Sequence, residues 1–238
     1  MKATPRLRIR WLFCCFEENL RHEIEVLEFV NNLPRIGILV SGHSKGTNFQ
    51  AILDAIESGV LHARVALLIA TNEGHGAVAR ARVANIKTLV LPTAHHTREE
   101  WDEKVADAFY QEGVSVLALA GYLRYVTPVL LEAFPGRVLN VHPSLLPAFG
   151  GHGMFGNRVH RAVLEHGCKV SGCTVHLVDE RYDTGPILAQ SCVEVLDDDT
   201  PDSLALRVQK EEHKIYPLAL EAICHDKVVV EGRKVRFK

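Results

Sequence analysis

The stretch Asn140-Val141-His142-Pro143-Ser144-Leu145-Leu146-Pro147 holds the densest concentration of reactive groups in the sequence. Asn140 and His142 stand two apart at the end of an apolar run, so in a strand both side chains leave from one face. An amide N–H and an imidazole aimed the same way are convergent donors, and the imidazole also carries a proton near neutral pH. Pro143 and Pro147 restrict the path of the chain that follows. Taken alone, an Asn-x-His pair also has a plainer reading, a hydrogen-bonded strand end.

A second group of residues suits an anion. Ser41-Gly42-His43-Ser44-Lys45-Gly46-Thr47-Asn48 links an apolar run to a helical pattern. Such a turn offers unpaired backbone N–H groups and the positive end of a helix dipole, as a phosphate requires. Gly46 permits close backbone approach, and Thr47 and Asn48 add side-chain donors. The competing reading is a tight turn with Thr47 or Asn48 as a helix cap. The segment matches neither the dinucleotide GxGxxG nor the GxxxxGK[ST] phosphate loop. A third candidate, Asp183, lies in Asp183-Thr184-Gly185-Pro186, which is also ordinary turn chemistry.

These groups need elements to hold them. Short apolar runs at Ile36–Val40, Val65–Ala70, Thr88–Leu91, Val114–Leu119 and Val138–Val141 read as strands. Between them, helical spacing appears at Asn48–Ser58, Ala77–Ala84, Arg98–Glu112 and Pro128–Phe134. Continuous apolar strands alternating with helices predict an α/β fold, a doubly wound, mostly parallel sheet of Rossmann-like type. Ligands of such sheets sit at the carboxyl ends of the strands, where the loop before Asn48 and the Asn140–His142 pair both fall. Further on, Asn157–Glu165 and Asp199–Ile223 read as helices, Cys173–Val178 and Ile187–Val195 as strands, and Lys227–Phe237 as a hairpin. With no repeat or flexible linker, residues 35–238 are expected to form one domain.

Residues 1–34 differ. A basic, briefly apolar start gives way to an acidic stretch from Glu17 to Glu28, without a small-residue cleavage site. We read an N-terminal extension of unknown role, with helical character around Glu18–Val30. The whole sequence has 238 residues, 47% of them hydrophobic, and 27 basic against 29 acidic side chains. That balance argues against a nucleic-acid partner, and no apolar run reaches the roughly 20 residues that span a bilayer. The six cysteines lack metal or redox spacing and read as free thiols of a cytoplasmic protein. The thirteen histidines are scattered, so no metal site is expected.

Several separated motifs agree in order with one family: SGHSKGTNFQAI, AGYLRYVTP, NVHPSLLP, SGCTVHLVDERYDTGPILAQ and RVQKEEHKIYP. From about Ile36 to Phe237 the chain resembles the phosphoribosylglycinamide formyltransferases of purine synthesis. NVHPSLLP is the mark of the wider folate-dependent superfamily; the phosphate loop and the RVQKEEHKIYP helix point to this branch. The resemblance implies a formyl group moving from 10-formyltetrahydrofolate to the amine of glycinamide ribonucleotide, in a monomer or homodimer. It implies a catalytic trio of Asn140, His142 and Asp183, with His176 close by, and a phosphate site at Gly46, Thr47 and Asn48. Arg98 and the segment Leu123, Arg124, Tyr125 and Val126 are then expected to hold the folate, beside Asn140. Gln209 and Glu212 are expected to hold the ribosyl-glycinamide part. Without the resemblance, Arg98 reads as a surface charge beside a cap and Glu212 as part of a solvated helix face.

The chemistry fits those roles. An amine attacking a formyl carbon creates an oxyanion and a positive nitrogen, and losing one oxyanion donor costs about 3–4 kcal/mol. Asn140 and His142 supply donors, Asp183 is expected to raise the His142 pKa, and an Asp–His pair with a water relays the proton. Neither a covalent nucleophile nor a metal is required. Two departures from the family pattern stand out. His43-Ser44-Lys45 widens the phosphate loop, and the glycines of Ala148–Asn157 predict a mobile loop that closes over the folate. Among rivals, methionyl-tRNA formyltransferase is expected to carry a further C-terminal domain, and formyltetrahydrofolate deformylase a longer N-terminal one. A dinucleotide-binding reductase or a non-catalytic binding module is disfavoured by the first turn.

Overall fold

The first strand, Arg35–Val40 (β1), is buried on both sides, and this dictates the layers around it. Ile36, Ile38 and Val40 face one apolar cluster while Leu39 faces another, so the strand lies between two layers of helices. The computed structural model describes residues 32–238. The expected helix at Glu18–Val30, Cys14 and Cys15 lie outside the described residues. Pro34–Lys238 forms one compact unit.

The chain continues through helix Thr47–Glu57 (α1), strand Arg64–Ala70 (β2), helix Gly76–Val83 (α2), strand Thr88–Val90 (β3) and helix Arg98–Gln111 (α3). It then forms strand Val116–Leu119 (β4), helix Pro128–Ala133 (α4), strand Val138–His142 (β5) and helix Asn157–Glu165 (α5). Strands Val170–Leu177 (β6) and Ile187–Glu194 (β7), helix Pro201–Cys224 (α6) and a hairpin, Val228–Glu231 (β8) with Lys234–Phe237 (β9), complete it. The main sheet has seven strands in the order β3-β2-β1-β4-β5-β6-β7. The first five are parallel; β6 and β7 join antiparallel. Strand order reverses between β1 and β4, the place where such sheets open a ligand crevice.

On one face Phe49 and Ile52 of α1, Val78 of α2, and Tyr216 and Leu220 of α6 pack on the sheet. On the other, Trp101, Val105 and Phe109 of α3 meet Leu130 and Phe134 around α4. Gly37 makes room for the second layer, since a Cβ there would meet the Phe109 ring at 2.6 Å. Each fully buried apolar side chain of this size stabilises the fold by about 1.5–3 kcal/mol. The Tyr216 hydroxyl lies 3.1 Å from both the Leu119 and Leu139 carbonyls, which fixes α6 over the ends of β4 and β5.

One strand starts earlier than its sequence suggests. β6 begins at Val170, although Ser171-Gly172 resembles a turn. Gly172 is extended and lies so close to β7 that a Cβ would fall 2.0 Å from the Ser191 carbonyl oxygen.

Candidate active site

The carboxyl ends of β1, β4 and β5 open into one cavity of about 620 Å³. Asn140 and His142 come from the end of β5. The antiparallel pairing of β5 with β6 sets His176 directly opposite Asn140 and Thr174 opposite His142. Asp183 enters from the β6–β7 connection in a left-handed conformation, φ 57°.

Four side chains meet here. Asn140 Nδ2 lies 3.2 Å from His176 Nε2, and His176 Nδ1 lies 2.8 Å from the Leu177 carbonyl. A carbonyl only accepts, so the His176 proton sits on Nδ1 and Nε2 accepts from the Asn140 amide. The second Asn140 N–H remains for another acceptor. His142 Nε2 lies 2.9 Å from the Phe149 carbonyl, and its Nδ1 faces Asp183 Oδ2 at 3.5 Å. Asp183 Oδ1 lies 3.7 Å from His176 Nε2, and the Gly151 N–H donates to Asp183 Oδ2 at 2.9 Å.

The electrostatics of this group are finely opposed. Burial lowers the His142 pKa below the ordinary imidazole value, and the Asp183 charge opposes that without overcoming it. The expected upward pull of Asp183 on the His142 pKa is present. The loss of water around a nearly buried ring outweighs it. For Asp183 itself burial pushes the pKa up, yet His176 when its Nε2 carries a proton, the His142 charge and the Gly151 N–H together hold it below the usual carboxylate range.

Across the cavity, the α1 N-terminus meets α6. Gln209 Nε2 donates to Thr47 Oγ1 at 2.9 Å, and Asn48 Nδ2 donates to Glu212 Oε2 at 3.1 Å. Glu212 is buried rather than on a solvated face, and burial lifts its carboxyl pKa to about 7. Asn48 Oδ1 is buried without a hydrogen-bond partner. Gly46, with φ 69°, does not line the cavity; the close approach it allows is to Ala77, whose N would stand 2.5 Å from an added Cβ.

The segment after β4 is pinned along its length. The Leu123 N–H donates to Ser41 Oγ at 2.7 Å, and the Arg98 guanidinium donates to the Tyr125 carbonyl. Thr127 N–H and Oγ1 each donate at 2.8 Å to Asp102 Oδ2. Leu123, Arg124, Tyr125 and Val126 thereby line the cavity, whereas Arg98 stands behind them. Asp102, wholly buried on α3, and His75, buried at the start of α2, were not singled out in the sequence. Their partners lie far along the chain, so no local spacing marks them. Among the described residues no group of His, Cys, Asp or Glu is arranged to hold a metal ion.

Residues 34–220 match a family model described as formyl transferase. The chain belongs to the formyl transferase family. All the candidate site residues fall inside the matched formyl transferase segment, and among the described helices and strands only the β8–β9 hairpin and the end of α6 lie beyond it. Among relatives, the chloroplastic phosphoribosylglycinamide formyltransferase of Arabidopsis thaliana is 44% identical over 82% of this chain. The chain spans 66% of that plant protein's length. The phosphoribosylglycinamide formyltransferase of Bacillus subtilis is 34% identical over 80% of this chain and 95% of its own length. Among solved structures, glycinamide ribonucleotide transformylase 1 from Symbiobacterium toebii superposes with a TM-score of 0.80 at 44% identity. That alignment covers 86% of this chain and 94% of that one.

Proposed function

We propose that this formyl transferase moves the formyl group of 10-formyltetrahydrofolate onto the amine of glycinamide ribonucleotide, a step of purine synthesis. One observation carries the reading: Asn140, His142, His176 and Asp183 share a single cavity with the N-terminal turn of α1 and the segment Leu123–Val126. In this reading the cavity receives an anion at one end, a flat folate at the other and a tetrahedral centre between them.

The folate lies along Leu123, Arg124, Tyr125 and Val126, held in place from behind by Arg98. The ribonucleotide phosphate rests on the turn at Thr47 and Asn48, which Gly46 bends into place without touching the ligand, and Gln209 and Glu212 receive the sugar and glycinamide. The amine nitrogen attacks the formyl carbon, and a C–N bond forms as the carbonyl oxygen becomes an oxyanion. The free Asn140 N–H stabilises that oxyanion, and the His142 ring adds its positive charge once it has taken up the proton. The carbon then parts from the folate nitrogen. The amine loses one proton and the folate nitrogen gains one, with His142 and Asp183 relaying it through water. Nothing in the step calls for a metal or a covalent nucleophile.

No described helix is long and apolar enough to cross a membrane. Two small-molecule substrates suffice for the activity, in the cytoplasm, with the protein as a monomer or homodimer. Mass spectrometry of the ribonucleotide after incubation with 10-formyltetrahydrofolate tests the proposal. A product carrying one added formyl group on the glycinamide nitrogen supports it; an unmodified ribonucleotide overturns it.

A further inference from the structure

The widened phosphate loop is braced by a buried histidine from a neighbouring strand end. His75 is the N-cap of α2, and its Nδ1 accepts the Ala77 N–H at 3.1 Å. A neutral imidazole whose Nδ1 accepts must carry its proton on Nε2. That Nε2 lies 2.9 Å from Ser44 Oγ, so His75 donates and Ser44 accepts. The Gly46 N–H donates to the same Ser44 oxygen at 3.3 Å. With both contacts accepted, the hydroxyl's own hydrogen is uncommitted, and Ser44 lines the main cavity.

The rest of the loop is fastened to the same neighbour. The Gly76 N–H donates to the Ser44 carbonyl at 2.8 Å, Arg80 Nε donates to the Lys45 carbonyl at 3.2 Å, and Asn72 Nδ2 donates to the Gly42 carbonyl at 2.8 Å. Gly76 is obligatory, because a Cβ there would fall 2.4 Å from the Lys45 carbonyl oxygen. Burial, helped by the His43 charge, lowers the His75 pKa and preserves the neutral ring.

We propose that His75 is a positioning residue for the substrate phosphate: by fixing the proton on its Nε2 it turns the Ser44 hydroxyl outward as a phosphate donor. Ser44 thus becomes a specificity-determining contact, supplied by the extra length of the loop. The inference rests on the phosphate site proposed at Gly46–Asn48.

Two variants test it. In His75→Asn the side-chain oxygen can still cap the Ala77 N–H, but nothing reaches Ser44. In Ser44→Ala the hydroxyl is absent. Steady-state kinetics are measured for both variants, for the double variant and for the unaltered enzyme. The expected result is a rise of about tenfold in the KM for glycinamide ribonucleotide in each single variant, the size of one hydrogen bond to a charged group. The kcat and the KM for 10-formyltetrahydrofolate stay within about twofold, and the double variant is no worse than either single one. An unchanged ribonucleotide KM, additive losses or an equal rise in the folate KM overturns the role of His75 and Ser44. If the unaltered enzyme shows no ribonucleotide-dependent turnover, the underlying functional proposal fails instead.

Discussion

The two nitrogens of His142 face two acceptors, the Phe149 carbonyl at 2.9 Å and Asp183 Oδ2 at 3.5 Å. A neutral ring has one N–H and satisfies only one of them; an imidazolium satisfies both. Burial opposes that charge and prevails. Under the proposed function, this opposition suits a ring that accepts a proton from one nitrogen and passes it to another.

Asp183 is the group that keeps this balance from tipping. His142→Ala and Asp183→Asn are each expected to lower kcat by about 10²-fold or more, with melting temperatures little changed. The His142 ring, followed by NMR, is expected to titrate below the ordinary imidazole value. It moves lower still in Asp183→Asn, because the carboxylate was the influence raising it. A shift upward in that variant contradicts the pairing.

Glu212 is expected to cost stability at high pH while serving the substrate role proposed for it. Its carboxyl pKa is lifted from 4.5 to about 7 by burial. Between those values the unfolded chain has released the proton that the folded chain retains, so stability falls as pH rises through that window. Glu212→Gln removes the buried charge and keeps an acceptor for Asn48. It is expected to stabilise the protein by about 2–3 kcal/mol at pH 8 and to leave it unchanged near pH 4. If Glu212 holds the ribonucleotide as proposed, the same variant is expected to raise its KM. Urea titrations at the two pH values check the first statement.

His160, buried on α5 near His142, has its pKa lowered to about 4 by burial and then by the His142 charge. Here the unfolded chain binds the proton first, below the ordinary value of 6.5. Unfolding free energy is expected to drop as pH falls from about 6.5 to 4, by up to about 1.4 kcal/mol per pH unit from this group. His160→Gln flattens that slope in pH-dependent denaturant titrations if the burial account holds.

The glycine-rich connection after β5 is tied to His142 and Asp183 through Phe149 and Gly151. Gly151 and Gly153 hold left-handed conformations. Amide exchange across Ala148–Asn157 is expected to slow when the folate is bound. Equal rates with and without it would remove the idea of a closing loop.

Much of this was legible in the sequence because parallel strands covered on both faces read as unbroken apolar runs. Ile36–Val40, Val65–Ala70 and Val138–Val141 all emerged as strands within a residue or so. Asn140 and His142 were legible for a local reason, a spacing of two at a strand's end. Asp183 was not, since its place depends on β6 folding back antiparallel onto β5, and only the family resemblance carried it. His75 and Asp102 stayed hidden because each looks like an ordinary helix residue until its partner, Ser44 or Thr127, is brought close by the sheet. The burial of Glu212 was hidden likewise, because only the seating of α6 on the α1 N-terminus excludes water there.

The most direct test follows tetrahydrofolate release from 10-formyltetrahydrofolate, with and without glycinamide ribonucleotide. The account predicts release only when the ribonucleotide is present, one equivalent for each ribonucleotide formylated. Release at the same rate without it, as in a deformylase, or no release under either condition, would contradict the account.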